Sequence, residues 1–311
     1  MSASVLRLAT SGSALGLWRA KRVAALLRAS GLTTTSDARI VTCAPGQGAV
    51  GRICAAVLSG EADVAVHRAD ELPWAEHEGL RMLAIPLRGD PREVLCANGM
   101  PLSGLPPGAR VGAYGPRSGL QLSQLRSDLV VVALDGDVPS ALRRLDDDLA
   151  AVVVSRAAVV ALDQEGRVTK TFSPEQLVPA AGQAALALEA RAADRETGSS
   201  LLSLNDAASR LCVLTERTVA RRLAAWPPAN VGASCALEYG FVSVTAVLAP
   251  GVGSLLLRVV RSGPAANARQ IAEAVADELV LLHEINDDED ADFTAGEPSE
   301  PAHAARGLQT R

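Results

Sequence analysis

Lysine is nearly absent from this chain of 311 residues, because its 30 basic residues include only Lys21 and Lys170. A mechanism that depends on a Schiff-base lysine or on a lysine in a phosphate-binding loop is therefore almost excluded. No apolar run reaches the roughly 18 residues needed to span a bilayer, and the N-terminus lacks the charged-then-apolar pattern of a signal peptide. These absences predict a cytoplasmic protein with no membrane partner.

Cysteine pairs at metal-binding spacing are also missing. The five cysteines are scattered and form no CxxC pair; they are Cys43, Cys54, Cys96, Cys212 and Cys235. Each lies in apolar or small-residue surroundings, which favours buried, reduced thiols. The sequence therefore predicts no metal site.

The chain has no excess of basic charge. Its net charge is -5, and residues 286–311 hold seven acidic residues against two basic ones. The remaining body has 28 acidic and 28 basic residues, so it is neutral. A neutral body argues against a nucleic-acid partner held by bulk phosphate attraction. The acidic tail has almost no large apolar groups, which predicts disorder.

Short runs of Val, Ile and Ala alternate with helical patterns along most of the chain, which is typical of α/β units on a parallel or mixed sheet. Two such series are joined by two crossings, and an α+β pattern follows them. The predicted units are a first lobe from 1–88 and 182–204, a second lobe from 89–181, a small α+β domain at 205–285 and a disordered tail at 286–311. Within the α+β domain, Ala236–Leu248 and Ser254–Val260 are predicted to be two antiparallel strands. A cleft between two hinged lobes predicts a small-molecule ligand.

A glycine-rich segment, Gly46-Gln47-Gly48-Ala49-Val50-Gly51, follows a predicted strand and begins a helix. This is the pattern of a dinucleotide-binding fingerprint, in which glycines let a pyrophosphate approach a helix N-terminus. However, it is not in the first αβ unit, and three residues separate the strand from the first glycine. The pattern therefore favours a flexible small-residue loop beside the cleft over dinucleotide binding.

Two adjacent carboxylates, Asp70 and Glu71, come shortly after the strand predicted at Asp63–His67. Adjacent acids on a loop are usually solvated and carry no chemistry. In open α/β sheets, however, the carboxyl ends of strands face the ligand crevice. Both interpretations stay open at this point.

The sequence resembles the porphobilinogen deaminase (hydroxymethylbilane synthase) family in order from about residue 5 to residue 283. The matching segments are Arg7–Trp18, Glu61–His67 with Leu72-Pro73, Asp90-Pro91-Arg92, Gly112–Arg117, Leu177–Gln183, and Thr215-Glu216-Arg217 with Arg222-Leu223. The resemblance implies two hinged αβ lobes like those of periplasmic binding proteins, plus a small α+β C-terminal domain.

The resemblance also implies a covalent mechanism. In the family, a cysteine of the third domain holds a dipyrromethane cofactor by a thioether, and an aspartate in the cleft transfers protons. Arginines and lysines bind the acetate and propionate groups. Here the cofactor cysteine position falls at Pro227, and the aspartate position falls at Glu71, preceded by Asp70 instead of a lysine. Glutamate displaces the carboxylate by about an ångström, which can cost on the order of 100-fold in rate.

Several of the family's cationic positions are also changed. Gln47 replaces a lysine, Ser11 replaces an arginine, and only Arg117 remains of a pair of arginines. Asp135 stands where the family has another arginine. A dipyrromethane brings four carboxylates, and burying each without a cation costs several kcal/mol. The sequence therefore predicts no cofactor, because the dipyrromethane that the resemblance implies has neither its cysteine nor its full set of cations here.

Three functions remain open. The first is a divergent, degenerate family member, a monomer that binds a small ligand less anionic than a polypyrrole. The second is a working but non-standard deaminase, with Glu71 as acid/base and Arg117 as carboxylate anchor. The third is a ligand-sensing protein that uses lobe closure without chemistry. The predicted catalytic residues are Glu71 and Asp70, and the predicted ligand-binding residues are Ser13, Gln47, Arg68, Arg117, Asp135 and Gln183.

Overall fold

A computed structural model describes residues 5–31, 38–73, 77–250 and 255–295, with side chains up to residue 286. The strands are β1 (Arg7–Ser11), β2 (Arg39–Cys43), β3 (Val64–Arg68), β4 (Leu80–Ala84), β5 (Glu93–Ala97), β6 (Arg110–Ala113), β7 (Val130–Ala133), β8 (Ala151–Ser155), β9 (Val168–Thr171), β10 (Leu186–Arg191), β11 (Val231–Glu238), β12 (Phe241–Leu248) and β13 (Leu257–Pro264). The helices are α1 (Ala14–Ala29), α2 (Ala49–Leu58), α3 (Gly115–Leu125), α4 (Val138–Arg143), α5 (Arg156–Ala161), α6 (Arg195–Leu202), α7 (Ala207–Arg222) and α8 (Ala268–Ala295). No helix among these is long and apolar enough to cross a membrane.

The two lobes have the same sheet topology. The first sheet has the order β2-β1-β3-β10-β4 and the second has the order β7-β6-β8-β5-β9. In each, three strands pair in parallel, and the fourth strand in the order is antiparallel to both of its neighbours. The antiparallel strands β5 and β10 lie directly after the two chain crossings between the lobes. This arrangement confirms the predicted fold class.

Each lobe has its own apolar core, and nearly every side chain of its central strands is buried in that core. Strands β3, β5 and β8 contain runs of buried Val, Ala and Leu rather than an alternating pattern, as expected when helices cover both faces of a sheet. The α1 helix packs closely on the end of β1, since a Cβ atom at Gly16 would lie only 2.1 Å from the Ser11 carbonyl oxygen.

The third domain is a three-stranded antiparallel sheet, β11-β12-β13, packed against α7 and α8. The predicted strand Ala236–Leu248 is wrong as a single element, because Tyr239 and Gly240 form a turn between β11 and β12. Both residues have positive φ, 49° and 80°, as in the two-residue turns that match the twist of a hairpin. Gly240 is a usual residue in such a turn, but tyrosine is not, so the pair does not stand out as a turn among the apolar residues around it.

Helix α8 continues to Ala295, ten residues into the segment that the sequence predicts to be disordered. Extending an existing helix by one residue costs far less than starting a new one, so an acidic segment with few breakers can continue it. Residues 296–311 lie outside the described residues. The predicted domain boundaries otherwise stay a prediction.

Candidate ligand-binding cleft

A cavity of about 1170 Å³ lies between the lobes and is closed on one side by the third domain. Six of the predicted site residues line it: Ser13, Arg68, Asp70, Glu71, Arg117 and Gln183. Gln47 and Asp135 are exposed and are not among the described residues that line it, although Gly46, Gly48, Gly136 and Asp137 beside them are. The structure thus brings most of the predicted site residues to one cavity.

Ser13 lies at the N-terminus of α1, where its hydroxyl accepts a hydrogen bond from the Gly16 amide at 3.1 Å. Its Oγ is also 2.8 Å from the Ser11 Oγ. Ser, Thr, Asp and Asn are the usual residues at this position because their side chains satisfy free amide groups of the first turn. The N-terminus of a 16-residue helix therefore faces the cleft beside two hydroxyl groups.

Arg68, Asp70 and Glu71 form one ionic group just beyond the end of β3. The Arg68 guanidinium donates to the Asp70 carboxylate, with Nε 2.9 Å from Oδ1, and its Nη1 lies 3.1 Å from the Glu71 Oε1. The Asp70 carboxylate raises the pKa of Arg68 against the effect of burial, so this guanidinium stays charged. Relative to the family pattern, the cation has moved from position 70 to position 68, and a second carboxylate has been added.

Arg117 is held within the second lobe. Its side chain is 6% exposed, donates to the Glu93 carboxylate at 2.9 Å and donates to the Val178 carbonyl at 2.5 Å. Gln121, one turn further along α3, bonds both the amide and the carbonyl group of Val178. Arg117 is therefore part of the internal packing as well as of the cavity wall.

Gln183 is occupied by the chain crossings. Its side-chain Nε2 donates to the Pro91 carbonyl at 2.8 Å, and its backbone carbonyl oxygen accepts a hydrogen bond from the Arg88 Nε at 2.8 Å. It joins the two crossing segments, so its role in the structure is to hold the hinge.

Two cavity residues that the sequence did not indicate have polar groups that could bind a ligand. Among the described residues, Arg19 on α1 has no carboxylate within salt-bridge distance, and burial together with the nearby Arg68 lowers its pKa. The hydroxyl of Tyr114 is buried without a hydrogen-bond partner, and burial raises its pKa to about 12. Tyr114 lies in the matching segment Gly112–Arg117, but nothing in that pattern singles out its side chain, and Arg19 lies directly after the matching segment Arg7–Trp18.

The charges of the cavity wall nearly cancel. Its ionic residues are the arginines Arg19, Arg68 and Arg117 and the carboxylates Asp70, Glu71, Glu93 and Asp137. Two of the three arginines are paired with carboxylates of the same wall. The wall therefore offers one unpaired guanidinium and no cationic ring.

The segment that would carry a thioether cofactor has no thiol. Pro227 and Pro228 begin a short turn, and Pro228 and Ala229 line the cavity together with Gly115. Of the cysteines in the described residues, none lines it. Cys235 is buried in β11, and contact with Cys212 together with burial raises the pKa of its thiol, which makes it a poor nucleophile. Covalent attachment of a dipyrromethane does not fit these residues.

Sequence comparisons link the chain to enzymes of known function. A family profile described as "porphobilinogen deaminase, dipyromethane cofactor binding domain" matches residues 6–199. The porphobilinogen deaminase of Cutibacterium acnes is 36% identical over 261 residues, which cover 76% of this chain and 78% of that protein.

Among solved structures, a periplasmic substrate-binding protein of an ABC transporter from Coxiella burnetii is 14% identical, with a TM-score of 0.43. It aligns over 66% of this chain and 94% of its own. The periplasmic VFT2 domain of Bordetella pertussis BvgS is 18% identical, with a TM-score of 0.39, over 64% of this chain and 86% of its own.

Proposed function

The chain belongs to the porphobilinogen deaminase family, and we propose that it is a divergent member that does not make hydroxymethylbilane by the covalent mechanism. In this proposal the protein is a cytoplasmic monomer without a nucleic-acid or membrane partner. Its cleft binds a small ligand that is less anionic than a polypyrrole. The charge balance of the cleft wall carries the proposal, since four carboxylates stand there against three arginines.

A growing polypyrrole would add four carboxylates and then two more at each step. Burying a carboxylate without a paired cation costs several kcal/mol, and removing Arg68 or Arg117 from its present partners would leave other carboxylates unpaired. The cleft thus disfavours the family's product by charge. The family's cofactor is attached by a thioether bond, and Pro227 has no thiol to form that bond.

The thiol of Cys54 is not a substitute attachment point in this proposal. It is 1% exposed and lies against His67, His77 and Glu189 instead of facing the cavity. A dipyrromethane placed there would have to displace the packing of α2 against β3.

A ligand with one carboxylate and one hydrogen-bond acceptor fits the unused groups. Arg19 comes from the first lobe and Tyr114 from the second, so a ligand that bonds both would bridge the lobes. A charge-assisted hydrogen bond to a guanidinium contributes about 1.5–3 kcal/mol, which is enough for selective binding of a small acid. Such a ligand would also stabilise the closed arrangement of the lobes.

A non-standard deaminase is the second candidate, favoured by the position of Glu71. Its side chain is 45% exposed at the cavity wall and has Arg68 as its partner, so it can reach a bound pyrrole. In this alternative Glu71 would exchange protons with the substrate.

A restoration experiment separates the two candidates. Glu71→Asp combined with Pro227→Cys restores the family's acid and thiol, and Glu71→Asp with Pro228→Cys is the matched control. We expect no bilane from porphobilinogen with either double variant, because the cationic ring is still missing. Bilane formation by the native chain, or by the Pro227→Cys double variant alone, would support the second candidate and contradict the proposal.

A further inference from the structure

A cluster of metal-ligand side chains lies in the core of the first lobe. Cys54 comes from α2, His67 from β3 and Glu189 from β10, and their ligand atoms all lie within 4.8 Å of one another. The side chains of His67 and Glu189 are 1% and 4% exposed, and Cys54 is equally buried. The three residues are far apart in sequence, and sheet pairing alone brings His67 and Glu189 close together.

The distances between the ligand atoms match the edges of a tetrahedron around Zn²⁺. Bond lengths of about 2.3 Å to sulfur and 2.05 Å to nitrogen or oxygen give edges of about 3.6 Å for S–N and about 3.3 Å for N–O. The Cys54 Sγ lies 3.7 Å from the His67 Nε2, which lies 3.3 Å from the Glu189 Oε2. The edge from the Cys54 Sγ to the Glu189 Oε2 is 3.9 Å, a few tenths of an ångström longer than ideal.

His77 lies beside this cluster but is not one of the three residues whose ligand atoms all lie within 4.8 Å of one another. Its Nδ1 lies 3.6 Å from the Cys54 Sγ, and it is half-buried in the segment before β4. His77 and Glu189 both line a second cavity, of about 700 Å³, which lies between the first lobe and α7. This cavity gives an ion a route to the cluster without passing through the ligand cleft.

The cluster has a buried carboxylate whose charge a metal ion would neutralise. Arg217 also acts on Glu189 electrostatically, and its guanidinium donates to the carbonyl groups of Ala69, Leu72 and Pro73. A thiolate, imidazoles and a carboxylate together are a donor set typical of Zn²⁺ and unsuited to Mg²⁺ or Ca²⁺.

We propose that Cys54, His67 and Glu189 bind one Zn²⁺ ion as a structural site of the first lobe, with His77, whose Nδ1 contacts the Cys54 Sγ, as the nearest group for the fourth position. The ion would anchor the end of β3, which carries Arg68 and leads directly to Asp70 and Glu71 at the cleft wall. The proposal departs from the sequence-based expectation of no metal, which rested on the absence of a CxxC pair. It is independent of the function proposed for the cleft.

Zinc binding by the full-length, tag-free protein tests the site. After treatment with a chelator and its removal, the protein is titrated with Zn²⁺ against a chromophoric competitor. We expect one equivalent per chain, binding at least 100-fold weaker in Cys54→Ser, and about tenfold weaker in His77→Ala, whose side chain is only half-buried. Cys96→Ser, which changes a buried thiol of the other lobe, is the matched control and should bind as the native protein does.

Cobalt substitution gives a second readout that shows whether the thiolate is a ligand. Co²⁺ added to the native protein and to Cys96→Ser should give a thiolate-to-cobalt charge-transfer band, and Cys54→Ser should lack it. Circular dichroism verifies that each variant is folded. If Cys54→Ser does not fold, the zinc affinity of His77→Ala still tests the site. Equal zinc affinity in the native protein and the folded site variants, or a cobalt complex without the band, would overturn the proposal.

Discussion

The hinge and the cleft wall are neighbours, but they differ in how their charges are satisfied. At the hinge, the carboxylate of Glu216 is completely buried and accepts four hydrogen bonds: two from the Arg88 guanidinium at 2.7 and 2.8 Å, and one each from the amides of Gly182 and Cys235. Burial disfavours the charged form of Arg88, but Glu216 outweighs it and raises the pKa of that guanidinium. Every donor and acceptor in this group has a partner.

The cleft wall has the same kinds of residue but leaves Arg19 and Tyr114 without partners among the described residues. Glu216 and Gly182 of the hinge belong to segments that resemble the family, whereas Asp70 and Glu71 of the cleft wall depart from its pattern. The comparison teaches that the fold depends on the hinge and can persist when the chemistry of the cleft changes. Three variants test this division between hinge and cleft, and a fourth tests a residue outside both regions.

The largest effect is expected for Glu216→Gln. The amide would turn donors toward Arg88 and the Gly182 amide, leaving a buried guanidinium without its counter-charge, so the free energy of unfolding should fall by about 3–5 kcal/mol. Urea unfolding measures the change. Glu273→Gln, which breaks an exposed i,i+4 pair with Arg269, is the control and should stay within about 0.5 kcal/mol of the native protein. Similar losses in both variants would contradict a special role for the hinge.

Arg117→Met is expected to have the next largest effect. It leaves the buried Glu93 carboxylate unpaired and should cost about 3 kcal/mol of stability. Adding Glu93→Gln removes that charge, so the double variant should regain much of the loss. If Arg117 served ligand binding alone, the single variant would have the same midpoint of urea unfolding as the native protein.

The sequence predicted more of this fold than of its site. The Val- and Ala-rich runs indicated most strands of both lobes, and the family resemblance implied the two-lobe fold. Strand β5 has no separate sequence signal, because it follows directly on Gly89–Arg92, whose Gly-Asp-Pro-Arg sequence breaks the strand pattern. The ion pair of Arg117 with Glu93 was missed for the same reason.

Residues that meet only through the sheet could not be found from sequence patterns. Cys54 and Glu189 are separated by 135 positions and share no motif. The sheet register places Glu189 opposite Ala65, beside His67, and the packing of α2 on β3 and β10 brings Cys54 to both. Arg19 looks like any helix-surface arginine until α1 is packed against the cleft. Local spacing indicates elements, whereas such clusters depend on which elements become neighbours.

Arg19→Gln should reduce ligand binding and leave stability unchanged. A panel of carboxylates from acetate and succinate to porphobilinogen identifies a ligand by calorimetry, and scattering follows lobe closure. We expect at least tenfold weaker binding of that ligand by Arg19→Gln and native binding by Arg28→Gln, at the exposed end of the same helix. No binding by any member of the panel, or equal binding by both variants, would contradict the proposed role of Arg19.

The smallest effect is expected at Asp63, which lies outside both regions. Burial opposes its ionisation, but hydrogen bonds from Arg7 lower its pKa overall. A lowered pKa in the folded state gives stability that is present above pH 4 and is lost as the pH falls through the folded-state value. Asp63→Asn should therefore flatten the acid side of the stability profile, measured by urea unfolding from pH 6 to pH 3. An unchanged acid slope would refute this.

The mass of the intact full-length protein, measured as purified and after incubation with porphobilinogen, tests the central claim most directly. The account predicts the mass of the unmodified polypeptide in both samples, because Pro227 offers no thiol and the cleft wall has no cationic ring. An added mass of two pyrrole units, or a ladder of further units after incubation, would contradict it.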